Sequence, residues 1–225
     1  PARDPAAPLV LTYAGRLTNY EKRVSQLAPL IAELGRLGVD FTFRIIGEGG
    51  YRQTLQQEVA RLPTSIRNRV HLEGMLPPEV MPARWREADV CILVSDSEGP
   101  SLSMLEAMAE GCVPVVTRVS GTAAVIRDGI NGFVVERGDL TGMARRILDL
   151  ADDRHRLRVM SLAAHERVLR DYAYREYVPW FLGVVEEIQR RPARTWPPGK
   201  PLLKTVPVRS GWLGRLQAFL LPGKR

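Results

Sequence analysis

Lysine is nearly missing from this chain: the first is Lys22 and the next is Lys200, with arginine carrying all the positive charge between them. Cysteine is scarce too. Cys91 lies in the apolar run Val90 to Val94 and Cys112 just ahead of another, which points to two reduced, packed thiols and away from a disulfide framework or a metal site. His71, His155 and His165 are the only histidines, and none stands beside a serine or cysteine nucleophile signature, so structural or solvent-facing roles are expected. Apolar runs long enough to cross a bilayer are absent. With 45% hydrophobic residues in 225, the composition is that of a soluble α/β protein with a sizeable core, expected in the cytoplasm.

Against this scarcity Lys22 stands out, because in an arginine-rich chain it suggests a task for a compact, mobile ammonium. It follows the apolar run Leu9 to Ala14 and sits with Arg16 on the expected loop between a first strand and a first helix. A cation at a helix start opposes the dipole, which argues against a merely solvated charge.

The second feature is the segment Ser97-Glu98-Gly99-Pro100-Ser101-Leu102, an acidic turn that feeds a helix expected to run to about Glu110. Gly99 and Pro100 suit a helix entry, and the unpaired N–H groups of a helix start favour an anion. Glu98 precedes that start, and Glu106 lies roughly 7 Å along the axis from Ser101. Carboxylates accept hydrogen bonds from hydroxyls and repel phosphate, so the pair suits the two flanks of a bound diphosphate. Both acids also suit an ordinary helix, Glu98 by complementing the dipole and Glu106 by sharing a polar face with Ser103 and Glu110. Spacing alone leaves the two readings open.

Alternating patterns predict strands near 9–14, 40–46, 69–73, 89–94, 113–117 and 132–135. Helices are predicted near 23–37, 51–62, 79–87, 101–110 and 121–127, then from 139 to about 189 with a break at Asp152-Asp153. Continuous apolar strands imply a sheet covered on both faces. The expected fold is therefore α/β, a doubly wound, mostly parallel, Rossmann-like sheet with its ligand beyond the carboxyl ends of the strands.

In order and spacing, these motifs resemble the C-terminal, donor-binding half of retaining GT-B glycosyltransferases of the group 1 family. The resemblance covers about residues 9 to 190. It rests on Gly15-Arg16-Leu17 with Glu21-Lys22, Gly47-Glu48-Gly49, Val70 to Gly74, Ala88-Asp89-Val90, the Glu98 to Glu106 element running on to Pro114, and Asp128-Gly129-Ile130-Asn131-Gly132. It implies that Arg16 and Lys22 hold the diphosphate of a nucleoside diphosphate sugar, which is a substrate, so no cofactor and no metal is expected. The amides from Gly99 through Pro100 and Ser101 to Leu102 would cap the distal phosphate. Glu98 would hold the transferred sugar and Glu106 the ribose. Gly15 and Gly47 would line the loop edge, with Met75 near the base. The family pattern fails at Val119-Ser120-Gly121, where Ser120 replaces a glycine and Ala124 a glutamate, leaving the sugar open.

The ends read differently. Residues 1–8 read as a linker and 9–191 as the domain. A GT-B enzyme needs a second domain for its acceptor, so the chain is expected to be half an enzyme. Residues 192–225 carry seven cations and no acid, and the remaining 25 basic residues balance the 25 acidic ones. The stretch 192–207 reads as extended, and Trp212, Leu213, Leu216, Phe219 and Leu220 line one side of a short amphipathic segment. That tail suits peripheral contact with an anionic membrane, packing on the missing domain, or no fixed structure. Nucleic acid is not an expected partner, because the core is charge-neutral and lacks a basic stripe with interleaved aromatics. A non-catalytic sugar-nucleotide sensor, an epimerase or a phosphorylase would keep much of the same cradle.

Overall fold

Successive residues of a strand face opposite sides of its sheet, and here the strands other than the second and third are buried on both sides. The computed structural model describes residues 7–191. The six strands are β1 (Leu9–Ala14), β2 (Phe41–Ile46), β3 (Val70–Gly74), β4 (Val90–Leu93), β5 (Val113–Thr117) and β6 (Phe133–Val135). All pair in parallel, in the order β3-β2-β1-β4-β5-β6. The fold is an α/β doubly wound sheet of Rossmann type.

Leu9, Leu11, Tyr13, Phe41, Phe43, Ile45, Val90 and Ile92 enter one apolar layer, which α1 (Leu27–Arg36), α2 (Arg52–Ala60) and α7 (Leu140–Asp152) complete. Ala14, Ile46, Cys91, Leu93 and Val116 enter the other. There they meet Trp85 of α4 (Met81–Arg86), Met104 and Met108 of α5 (Leu102–Ala109), Val125 of α6 (Ser120–Val125) and Ala164 of α8 (Arg154–Asp171). Each fully buried aliphatic or aromatic side chain contributes about 1.5–3 kcal/mol, so the two layers dominate the stability of the sheet.

The predicted elements are present with shifted ends, and the differences have local causes. The helix expected from residue 23 begins at Leu27, after a 3-10 turn over Val24–Gln26, because Arg23 adopts a left-handed conformation with φ 49°. A short helix, α3 (Thr64–Arg67), has no counterpart in the sequence reading, and four residues are too few to show a period. Its Ile66 occupies the space where a side chain at Gly35 of α1 would lie. The predicted break at Asp153 is real: its carboxylate accepts from Arg156 N at 2.8 Å and starts α8. A second break at Tyr172–Ala173 precedes α9 (Tyr174–Arg190).

Among the described residues the chain divides there into two compact units, one ending at Tyr172 and the other beginning at Ala173. In the second, the Tyr177 ring lies 5.8 Å from those of Trp180 and Phe181 along α9. The expectations for the tail at 192–225 and for most of the linker at 1–8 fall outside the described residues. Among the described residues no helix is long and apolar enough to cross a membrane.

Candidate functional site

From β1 the chain winds outward through β2 to β3, then crosses back to β4 and winds the other way. The loops leaving β1 and β4 therefore flank the point where the strand order reverses, at the carboxyl edge, which is the usual place of a ligand crevice in such sheets. Arg16 and Lys22 lie on the first loop, and Glu98 on the second.

These loops are joined at several points. The Lys22 ammonium forms an ion pair with Glu98, and both side chains are largely sheltered, 17% and 9% exposed. Ser95 Oγ donates to the same carboxylate oxygen, Glu98 Oε1, at 2.8 Å. Oε2 is left without a hydrogen-bond donor among the described residues. Asp96 N donates to Glu21 O at 2.9 Å, and Arg23 Nε lies 2.9 Å from Asp96 Oδ2. The Asp96 carboxylate is therefore committed to a guanidinium.

Behind Glu98 runs a buried polar chain. Thr117 Oγ1 donates to Ser95 O at 2.6 Å, and Thr122 Oγ1 lies 2.9 Å from Thr117 O. Thr122 also accepts from Val119 N, fixing the first turn of α6. That turn rests directly on the acidic loop: Gly121 N donates to Glu98 O at 3.1 Å, and a side chain at Gly121 would stand 2.0 Å from the Gly99 carbonyl.

A third set of contacts binds the neighbouring loops. Gly15 N donates to Ile46 O at 3.0 Å, Leu17 N to Glu48 O at 2.8 Å and Gly47 N to Gly74 O at 2.7 Å. Gly47 has φ 137°, and a Cβ there would lie 1.9 Å from Gly15 O, so only glycine permits this approach. Tyr13, fully buried beneath the loop, donates its hydroxyl to Arg16 O at 3.0 Å. Burial raises its phenol far above the usual value, and the Glu98 carboxylate adds to the effect, so this donor stays protonated.

The structure thus brings Lys22, Glu98 and the start of α5 together, and separately Gly15 with Gly47. Ser101 is the N-cap of α5 and makes no side-chain cap bond; its hydroxyl lies 3.0 Å from that of Ser103. Gly99, Pro100 and Leu102 are exposed around that start, and Glu106 is exposed one turn further on. Arg16 extends into solvent and pairs with Glu21 at 3.1 Å. Met75, 76% exposed, follows Gly74 at the far loop. Sequence reasoning missed Arg23, Asp96, Ser95 and Thr117. It noted Gly121 only within a departure from a pattern.

The family model described as Glycosyl transferases group 1 matches residues 8–153. The chain belongs to this family. Among curated relatives of this group 1 chain, the N-acetyl-alpha-D-glucosaminyl L-malate synthase of Bacillus anthracis is 30% identical over 176 residues, covering 77% of this chain and 45% of its own length. The group 1 chain spans less than half the length of the curated relatives it matches. Among solved structures, Anabaena HepE in complex with UDP-glucose superposes with a TM-score of 0.72 at 21% identity, over 81% of this chain and 50% of that one. The C-terminal domain of the group 1 protein LpcC from Francisella tularensis gives a TM-score of 0.64 at 22% identity. That match covers 75% of this chain and 89% of that domain. The group 1 chain therefore has the fold of a GT-B C-terminal domain.

Proposed function

We propose that the crevice holds a nucleoside diphosphate sugar and that the chain is the donor half of a retaining hexosyltransferase. An N-terminal acceptor domain beyond these residues would complete it. The observation that carries this reading is the meeting of the Lys22 ammonium with the Glu98 carboxylate at the switch point, just ahead of α5.

In this reading Lys22 and Arg16 hold the diphosphate, and the amides from Gly99 to Leu102 cap its outer phosphate. Arg16 is free to turn inward at little cost, since its present ion pair with Glu21 is exposed and weak. Glu98 keeps Ser95 and Lys22 on Oε1 and offers Oε2 to a hydroxyl of the transferred sugar. Glu106 takes the ribose, and the loop edge at Gly15, Gly47 and Met75 faces the base.

As the bond from sugar to diphosphate breaks, its electron pair leaves with the phosphate. The acceptor oxygen bonds to the anomeric carbon on the same face and gives its proton to the departing phosphate. Cations aimed at this growing charge bind the transition state more strongly than the ground state, which is what accelerates transfer. Lys22 and Arg16 supply that charge without a metal. Glu98 positions the sugar, in contrast to the attacking carboxylate of retaining glycosidases. The HepE complex with UDP-glucose supports a sugar nucleotide as the ligand class.

Product analysis with the complete enzyme tests the reading. A glycoside with the donor's anomeric configuration is expected, and its formation should collapse in Glu98→Ala. An inverted product, or full transfer by that variant, contradicts the assignment.

A further inference from the structure

Arg23 is the only non-glycine residue at positive φ among the described residues, at φ 49°. A left-handed conformation is uncommon for a residue with a side chain, and one that persists beside a functional site needs surroundings that enforce it. Here it turns the chain between Lys22 and Val24, and the guanidinium reaches the loop that follows β4. Arg23 Nε approaches Asp96 Oδ2 to 2.9 Å as an ion pair without the alignment of a hydrogen bond. Two hydrogen bonds to the Asp96 backbone fix the same junction: Asp96 N donates to Glu21 O at 2.9 Å, and the Arg137 side chain donates through Nη1 to Asp96 O at 3.4 Å.

We infer that Arg23 and Asp96 are positioning residues, a clamp across the switch point that holds Lys22 against Glu98 and sets the width of the crevice. Neither needs to touch the donor. Arg23 directly follows Lys22, and Asp96 lies two residues before Glu98, so their ion pair runs beside the Lys22–Glu98 pair and fixes the register of the two loops. Two parallel pairs restrict the sliding and twisting that one would allow. A loop held in its binding conformation loses less freedom on binding, and that difference appears as affinity. Any effect on nucleotide binding rests on the donor reading above, whereas the placement of Lys22 does not.

The scarcity of lysine supplies the probe, because Lys22 is the only amine side chain before residue 200. The rate of its acylation by an amine-reactive ester, followed by mass spectrometry of its peptide in the full chain, reports how firmly it is held. Arg23→Gly and Asp96→Asn should each raise that rate about fivefold, as expected for a half-exposed ion pair worth on the order of 1 kcal/mol. The charge swap Arg23→Asp with Asp96→Arg should bring it back towards the original rate. Glycine removes the conformational cost at position 23, so if Arg23 served only to shape the turn, Arg23→Gly would label as slowly as the unaltered protein. Melting curves identify any variant that fails to fold, and Asp96→Asn leaves the backbone at 23 untouched.

Unchanged labelling in folded Arg23→Gly and Asp96→Asn would overturn the clamp. Faster labelling in both, in a chain that binds neither UDP nor GDP, would uphold the clamp and reject the donor reading. Faster labelling with a roughly fivefold loss of nucleotide affinity would support both.

Discussion

Lys22 and Glu98, 76 positions apart in sequence, meet as an ion pair where the strand order reverses, with Ser95 as a second donor to the same carboxylate oxygen. Removing one member strands the other in a sheltered place. Lys22→Met should destabilise the fold by about 1–3 kcal/mol, less than for a fully buried pair because water still reaches both groups. Adding Glu98→Gln should recover part of the loss, which urea unfolding of the two single variants and the double variant measures.

Gly121 is a contact between the first turn of α6 and the acidic loop. A methyl group placed 2.0 Å from the Gly99 carbonyl must push one backbone off the other. Gly121→Ala should cost about 1–3 kcal/mol and displace Glu98 as well. Increased hydrogen exchange around residues 95–101 is the expected signature.

Tyr13 ties stability to alkaline pH. Its folded pKa is raised above the ordinary phenol value near 10 by burial and by Glu98, while in the unfolded chain it ionises normally. The unfolded state therefore releases the proton first. The contribution is complete below about pH 10 and is lost as pH rises further. Tyr13→Phe should flatten this alkaline decline, read as melting temperature against pH in the two proteins.

Cys91 should be inert. Burial pushes its thiol up from 9.0 to about 12, so almost no thiolate forms at neutral pH. Cys112 is also buried, with Sγ donating to Trp85 O at 3.0 Å. Neither thiol should react with a disulfide reagent at pH 7.5 in the folded protein, and both should react in denaturant.

The sheet was legible because its central strands are buried on both faces, so that Leu9 to Ala14 and Val90 to Val94 announce themselves without a partner. Lys22 was legible for the opposite reason, as a residue type used once in a long stretch. What stayed hidden depends on three-dimensional closure. Arg23 carries no sign of a left-handed turn, a conformation usually announced by glycine or asparagine. Asp96 is one acid among several in its stretch, and only the fold brings the Arg23 guanidinium to it. Gly121 is one glycine of 19, and only the approach of residue 99 shows why no side chain fits there. The break at Tyr172–Ala173 has neither glycine nor proline to mark it.

Calorimetric titration of the chain with UDP, GDP and a panel of sugar nucleotides, repeated with Lys22→Ala, tests the central claim most directly. The account predicts saturable binding of at least one nucleoside diphosphate. It also predicts a loss of roughly 10- to 100-fold in affinity when the ammonium is removed, the scale of a charge-assisted hydrogen bond. Binding of none of them, or equal affinity in the variant, would contradict it.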